Sequence, residues 1–106
     1  MAEIVAGALD KSRWIESGVD GIEYAVLREA EGGATIFVRM AKGTHGGEHM
    51  HPGGEELYVI SGEVTVGDKR LTGGDYLYTP PGASHAVDAH ADSLLFVSVP
   101  KRVVFL

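Results

Sequence analysis

The sequence predicts an all-β fold, a sandwich or barrel of short strands, on three observations. Runs rich in β-branched and aromatic residues recur along the chain: IEYAVLRE, ATIFVRMA, LYVIS, EVTV, DYLYT, SLLFVSVP and VVFL. Glycine pairs punctuate them, at Gly32-Gly33, Gly46-Gly47, Gly53-Gly54 and Gly73-Gly74. No segment carries a long helical period with capping residues, which leaves closely spaced strands joined by turns. The 106 residues make one domain. A chain of that size buries roughly two-thirds of its unfolded surface, enough for a core without disulfides.

Composition removes several classes of function. There is no cysteine, so disulfides, iron–sulfur clusters and thiol nucleophiles are excluded, and a reducing cytoplasm is the expected setting. Net charge is −6, and the nine basic residues adjoin only at Lys69-Arg70 and Lys101-Arg102. No basic stripe exists to neutralise phosphates, so nucleic acid is not an expected partner. No apolar run approaches the about 20 residues that cross a bilayer as a helix, so no membrane association is expected. The opening MAEIVAGALDKSRW lacks a basic leader region, which reads as mature protein rather than a signal peptide. Its first dozen residues could form a short helix, and segment 1–18 is expected to pack on or extend the barrel.

Each element follows from local chemistry. In ATIFVRMA, alternation gives Ile36, Val38 and Met40 one apolar face and turns Arg39 to the other. In HPGG, Pro52 presets φ at the second turn position and Gly53 can take positive φ at the third, the pattern of a type II turn. Gly67-Asp68 can close a tight hairpin between Val64–Val66 and Lys69–Leu71. Pro80 and Pro81 cannot sit in a central ladder; they end DYLYT and brace the chain as a turn leading to His85. Trp14 is expected to pack on the sheet, and Tyr58, Tyr76 and Tyr78 to pack in the core or an interface. Val103 to Leu106 would aggregate if left bare, so they should pair within a sheet or across a dimer. That end, with Tyr58 and Ile60 on an outer face, predicts a homodimer.

The segment GTHGGEHMHPGGEELYVISGE, Gly43 to Glu63, concentrates the chemistry. His49 and His51 are two apart, so in a strand both imidazoles face one side. The Pro52-Gly53-Gly54 turn then reverses the chain, and Glu55 opens a returning strand beside them. Leu57 and Val59 share its face, while Glu56, Tyr58 and Ile60 take the other. His85 comes from further along, with Ser84 and Ala86 turned away and Val87 continuing the inward row. The four side chains would sit at the mouth of an apolar pocket lined by Val38, Met40, Leu57, Val59 and Val87.

Three imidazoles and a carboxylate suit a divalent first-row metal. A six-coordinate ion would keep two adjacent positions for water, dioxygen or a chelating substrate; a tetrahedral zinc would have its shell closed. His45 could face the same cavity or solvate a loop. Arg39 could hold a substrate carboxylate if its strand lines the cavity, or lie on the surface. His90 reads as an exposed turn residue and Glu48 as facing away.

The spacing resembles the two motifs of the cupin superfamily. Gly43, His49, His51, Glu55 and Gly62 match the first motif, and Gly74, Pro80, Gly82 and His85 match the second. The Asn that usually closes the second motif is here Ala89, and eleven residues separate the motifs. The resemblance implies a double-stranded β-helix, a jelly-roll barrel of two antiparallel sheets, as one domain over 1–106 with its motifs in 43–89. It further implies one divalent ion per chain, Fe, Mn, Ni or Zn, held by His49, His51, Glu55 and His85. A metal-dependent enzyme on a small oxygenated molecule, of dioxygenase, isomerase or lyase type, is one implied function. HPGGEE with PPGASHA is also similar to the zinc cupin domain of some anti-sigma factors. That similarity implies the alternative, a non-catalytic zinc or small-ligand sensor. These 106 residues are expected to be at most the cupin half of such a protein, acting without the separate sigma-binding helical domain.

Overall fold

The computed structural model describes residues 13–106 together with Ile4 and Ala6. The helix expected in the first dozen residues lies outside the described residues. In chain order the strands are β1 (Trp14–Glu16), β2 (Ile22–Ala30), β3 (Gly33–Met40), β4 (His45–Met50), β5 (Glu55–Ser61) and β6 (Glu63–Val66). They continue as β7 (Lys69–Thr72), β8 (Tyr76–Thr79), β9 (Ser84–Ala89), β10 (Ser93–Val99) and β11 (Val104–Phe105). A six-stranded sheet runs β1-β2-β3-β10-β5-β8, and a five-stranded sheet runs β11-β4-β9-β6-β7. Every pairing is antiparallel. This is the two-sheet barrel that the sequence predicts.

Alternation builds the core between the sheets. β10 turns Ser93, Leu95, Val97 and Val99 inward, and β5 turns Glu55, Leu57 and Val59 the same way. Their register sets Leu95 beside Val59 and Val97 beside Leu57. The opposite sheet supplies Val64, Val66, Leu71, Val87 and Ala89. Each fully buried Val or Leu side chain contributes about 1.5–3 kcal/mol by leaving water.

Close approaches explain one motif glycine. Gly62 adopts φ of 96°, and a Cβ there would fall 2.3 Å from Ser93 Oγ and 2.5 Å from the Asp92 carbonyl oxygen. Only a residue without a side chain lets β5 turn into β6 against the start of β10.

Four expectations need correction. Segment 50–55 is not a hairpin within one sheet. β4 finds its partners in β9 and β11, and β5 finds its own in β10 and β8, so the turn carries the chain from one sheet to the other. In that turn positive φ falls on Gly54, at 82°, not on Gly53. The Gly54 N–H donates to the His51 carbonyl at 3.1 Å, so Pro52 and Gly53 are the central residues and the left-handed residue follows them. His85 lies inside β9 rather than in the turn before it, because pairing with β4 begins at Ser84. The core alternative fails for Tyr76 and Tyr78: Leu77 and Thr79 hold the inward positions of β8, so these two face out, on the side where Tyr58 was expected and is found.

The Val64–Val66 and Lys69–Leu71 hairpin forms with Val66 opposite Lys69. Val104 and Phe105 pair with Met50 and His49, so the strand at that end is used within the sheet. No helix among the described residues is long and apolar enough to cross a membrane.

Candidate metal centre

Two sheets deliver the site. The β4–β9 register sets His49 directly opposite His85. His51 follows β4 by one residue, and Glu55 opens β5 on the facing sheet after the crossing turn. The ligand atoms of His49, His51, Glu55 and His85 all lie within 4.8 Å of one another. The imidazole centroids stand 4.7 Å apart for His49–His51, 4.9 Å for His49–His85 and 4.5 Å for His51–His85. The rings meet at steep angles rather than stacking, which leaves nitrogens turned toward a common point.

Backbone and hydroxyl contacts orient two of the rings. The His49 ring donates from Nδ1 to the Gly47 carbonyl at 2.8 Å, which reserves Nε2 for the cluster. His85 Nδ1 lies 3.2 Å from Thr79 Oγ1, with both residues buried. Glu55 approaches both remaining nitrogens: Oε2 is 2.9 Å from His51 Nε2, and Oε1 is 3.4 Å from His85 Nε2.

The electrostatics prepare a cation site. Burial by itself would raise the Glu55 carboxyl, but the polar contacts and charge of His51 and His85 outweigh it and hold the group down at about 2. Burial lowers the His49 imidazole; the bond to Gly47 opposes this, and His51 and His85 add to the lowering. An ionised carboxylate beside a neutral imidazole is the protonation state that metal ligation requires.

Unmet polar atoms then test the fit. His51 Nδ1 and Nε2, Glu55 Oε1 and His85 Nε2 are buried without a hydrogen-bond partner. The short His51–Glu55 contact is not aligned as a hydrogen bond, as expected of two atoms aimed at a third point. A buried polar atom left unpaired costs about 1–3 kcal/mol. Three of these atoms, His51 Nε2, Glu55 Oε1 and His85 Nε2, lie together, and unmet ligand atoms so gathered fit a bound divalent cation.

His49 is half-buried, whereas His51, Glu55 and His85 are buried, so solvent reaches the cluster from the His49 side. There β11 lies alongside, with the Phe105 ring 5.7 Å from that of His49. Of the expected pocket residues, Met40, Leu57, Val59 and Val87 are buried in the core and Val38 packs partly buried against it.

His45 is exposed on β4, with Nδ1 2.6 Å from Asp88 Oδ1. Arg39 lies on the outer face of β3, where it donates to Glu23 at 3.0 Å and its guanidinium sits 4.0 Å over the Trp14 ring. Glu48 accepts from Ser84 Oγ at 3.0 Å, and His90 contacts Thr65 Oγ1 at 2.6 Å. Ala89, at the usual Asn position, is a core residue whose backbone bonds to Gly43 and Thr44.

Sequence reasoning singled out neither Thr79 nor Phe105 for the site. Thr79 carried a signal: it shares the inward parity of Leu77 and directly precedes the proline pair. Phe105 reaches His49 only through a register that no local pattern encodes.

Two antiparallel sheets closed around a His-His-Glu-His cluster define a cupin. More narrowly, the chain belongs to the ChrR cupin-like domain family, whose model matches residues 2–101. It is 34% identical over 84 residues to an Arabidopsis thaliana DNA damage-repair/toleration protein, covering 74% of this chain and 26% of that protein. The chain thus spans about a quarter of the length of that curated relative. An acetylacetone dioxygenase from Acinetobacter johnsonii superposes with a TM-score of 0.89 at 16% identity, covering 100% of this chain and 80% of that one. The structure of Rhodobacter sphaeroides SigE in complex with the anti-sigma ChrR matches with a TM-score of 0.74 at 21% identity, covering 82% of this chain and 48% of that one. At these identities the structural likeness speaks for the fold alone.

Proposed function

We propose that this chain holds one divalent metal ion, Fe, Mn, Ni or Zn, through His49, His51, Glu55 and His85. We read it as an enzyme acting on a small oxygenated organic molecule, of dioxygenase, isomerase or lyase type. The observation that carries the reading is the set of buried, unpartnered donor atoms beside one half-exposed ligand. When bound, such an ion supplies Lewis acidity toward a chelating oxygenated ligand.

The chain's own residues do the rest. Glu55 offsets the cation's charge, Gly47 and Thr79 aim the His49 and His85 rings, and Leu57, Val59 and Val87 wall off water behind them. The buried polar residues among those described are His51, Glu55, Thr79, His85 and Ser93. None is a lysine or arginine, so a ligand's anionic group would find no side-chain cation inside and would be anchored by the metal.

Metal analysis of protein purified without a metal-affinity column tests the first step, and X-ray absorption tests the second. An ion with solvent-accessible positions supports the enzyme. A four-coordinate zinc with no solvent ligand rejects it in favour of a zinc or small-ligand sensor. One observation favours that second reading: the match to the ChrR cupin-like domain over residues 2–101. There the readout would be a partner protein. In either role the working assembly is proposed as a homodimer.

A further inference from the structure

The inward face of the five-stranded sheet holds a row of rings that leads out of the barrel. By register, Phe105 on β11 lies opposite His49 on β4, and His49 lies opposite His85 on β9. Residues directly opposite on antiparallel strands share a face, so Phe105 stands on the same side as the ligand cluster. Burial falls along the row: His85 is buried, His49 is half-buried and Phe105 is 80% exposed. Strand β11 is the edge of its sheet. A phenylalanine left this bare does not fill the core. Val103, two residues earlier, does that, packed partly buried against it.

The backbone fixes where the ring stands. Val104 pairs with Met50, and the Leu106 N–H donates to the Glu48 carbonyl at 3.1 Å, so β11 is tied to β4 on both sides of Phe105. The connection from β10 is seated on the crossing turn, where a Cβ on Gly53 would fall 2.9 Å from the Pro100 and Lys101 side chains. The Phe105 ring lies 5.7 Å from the His49 ring, tilted by 46°. That separation is within the range over which aromatic rings attract.

The interior offers a ligand no other place. Behind the cluster Leu57 is 2% exposed and Val59 0%, and Val87 is buried beside them. Side chains packed so closely present no open surface for a ligand's bulk. A molecule that reaches the cluster does so past His49, and the part of it not engaged there projects outward over Phe105.

We infer that Phe105 is the specificity-determining residue of this centre, its ring receiving a flat apolar group on a ligand whose oxygens engage the ion. The inference rests on the proposed metal-dependent reading and adds the chemical class of the ligand's other end. That end is an aryl or similarly flat apolar group, matched to the bare face of one phenylalanine. A compact polar ligand would leave that face in water.

Acetohydroxamate and benzohydroxamate test this, because they share one chelating head and differ in a methyl against a phenyl group. Calorimetry measures the binding of each to metal-loaded protein, with metal content checked before and after. Wild type should prefer benzohydroxamate by about tenfold, the size of one good aromatic contact. Phe105→Ala should erase most of the preference. Phe105→Leu, which keeps an apolar edge strand without a ring, should lose it as well, and Phe105→Tyr should retain it. Wild type that takes both hydroxamates alike overturns the inference while the metal-dependent reading stands. So does a preference that survives in Phe105→Ala and Phe105→Leu, or one that Phe105→Tyr fails to retain. Metal-loaded wild type that takes neither hydroxamate, or wild type that holds no metal, overturns both.

Discussion

The Thr79 hydroxyl and His85 Nδ1 lie 3.2 Å apart inside the barrel, each residue less than a tenth exposed. A hydroxyl both donates and accepts. Thr79 can therefore accept from an Nδ1–H, the tautomer that leaves His85 Nε2 open toward Glu55 and a metal. Such partners of ligating imidazoles are typically worth about 10–100-fold in metal affinity. Thr79→Val should lower affinity by that amount, and Thr79→Ser should restore most of it. Chelator competition measures this; Thr79→Val binding metal like wild type would remove the role.

His51 is fully buried and contributes one unpartnered ligand nitrogen to the cluster. His51→Ala should sharply reduce metal content, because it removes one of three imidazoles and the group nearest Glu55. Elemental analysis showing full occupancy in the variant would mean the ion is held elsewhere.

Acid should destabilise the metal-free protein in two stages. The His49 imidazole is lowered from its ordinary 6.5, so the unfolded chain takes up that proton first and stability falls as pH drops below 6.5. The Glu55 carboxyl is lowered from 4.5 to about 2, so its contribution is whole above 4.5 and is lost as pH falls toward 2. A shift of that size corresponds to roughly 3 kcal/mol at most. Thermal melts from neutral to acid pH should show both declines, and Glu55→Gln should lack the second. Metal loading should also fall below the histidine range as protons compete for the rings. A flat melting temperature across both windows would contradict these assignments.

Gly62→Ala should cost about 2–4 kcal/mol, combining positive φ with a clash that only backbone movement relieves. The Cβ would fall 2.3 Å from Ser93 Oγ, at the junction of β5, β6 and β10. Denaturant melts measure the loss; a change below about 0.5 kcal/mol would mean the turn yields easily.

The residues able to meet at the site were legible because most of the information is local. His49, His51 and Glu55 fall within one short segment, and alternation alone says which neighbours share their face. What stayed hidden was non-local. A turn after Met50 can close a hairpin or carry the chain between sheets, and only the choice of β9 and β10 as partners decides it. Gly53 and Gly54 were indistinguishable until the backbone fixed which took positive φ; Gly53 is needed because a Cβ would fall 2.9 Å from Pro100 and Lys101 side chains. Tyr58 was legible as outward from its parity with Glu56, whereas Tyr76 and Tyr78 stayed open between core and interface because strand propensity reports a fit to a half-buried surface, not a side of the sheet.

The crossing at Pro52 has a mechanical side. His49 and His85 are fixed to the five-stranded sheet and Glu55 to the six-stranded one. An ion gripped by all of them would act as a rivet between two plates otherwise joined by loops and greasy contact. Its arrival should slow amide exchange in β5 and its neighbours β8 and β10, well beyond the ligands themselves. The stiffened plate is the one whose far side bears the tyrosines, so occupancy inside the barrel could be felt on its outer wall.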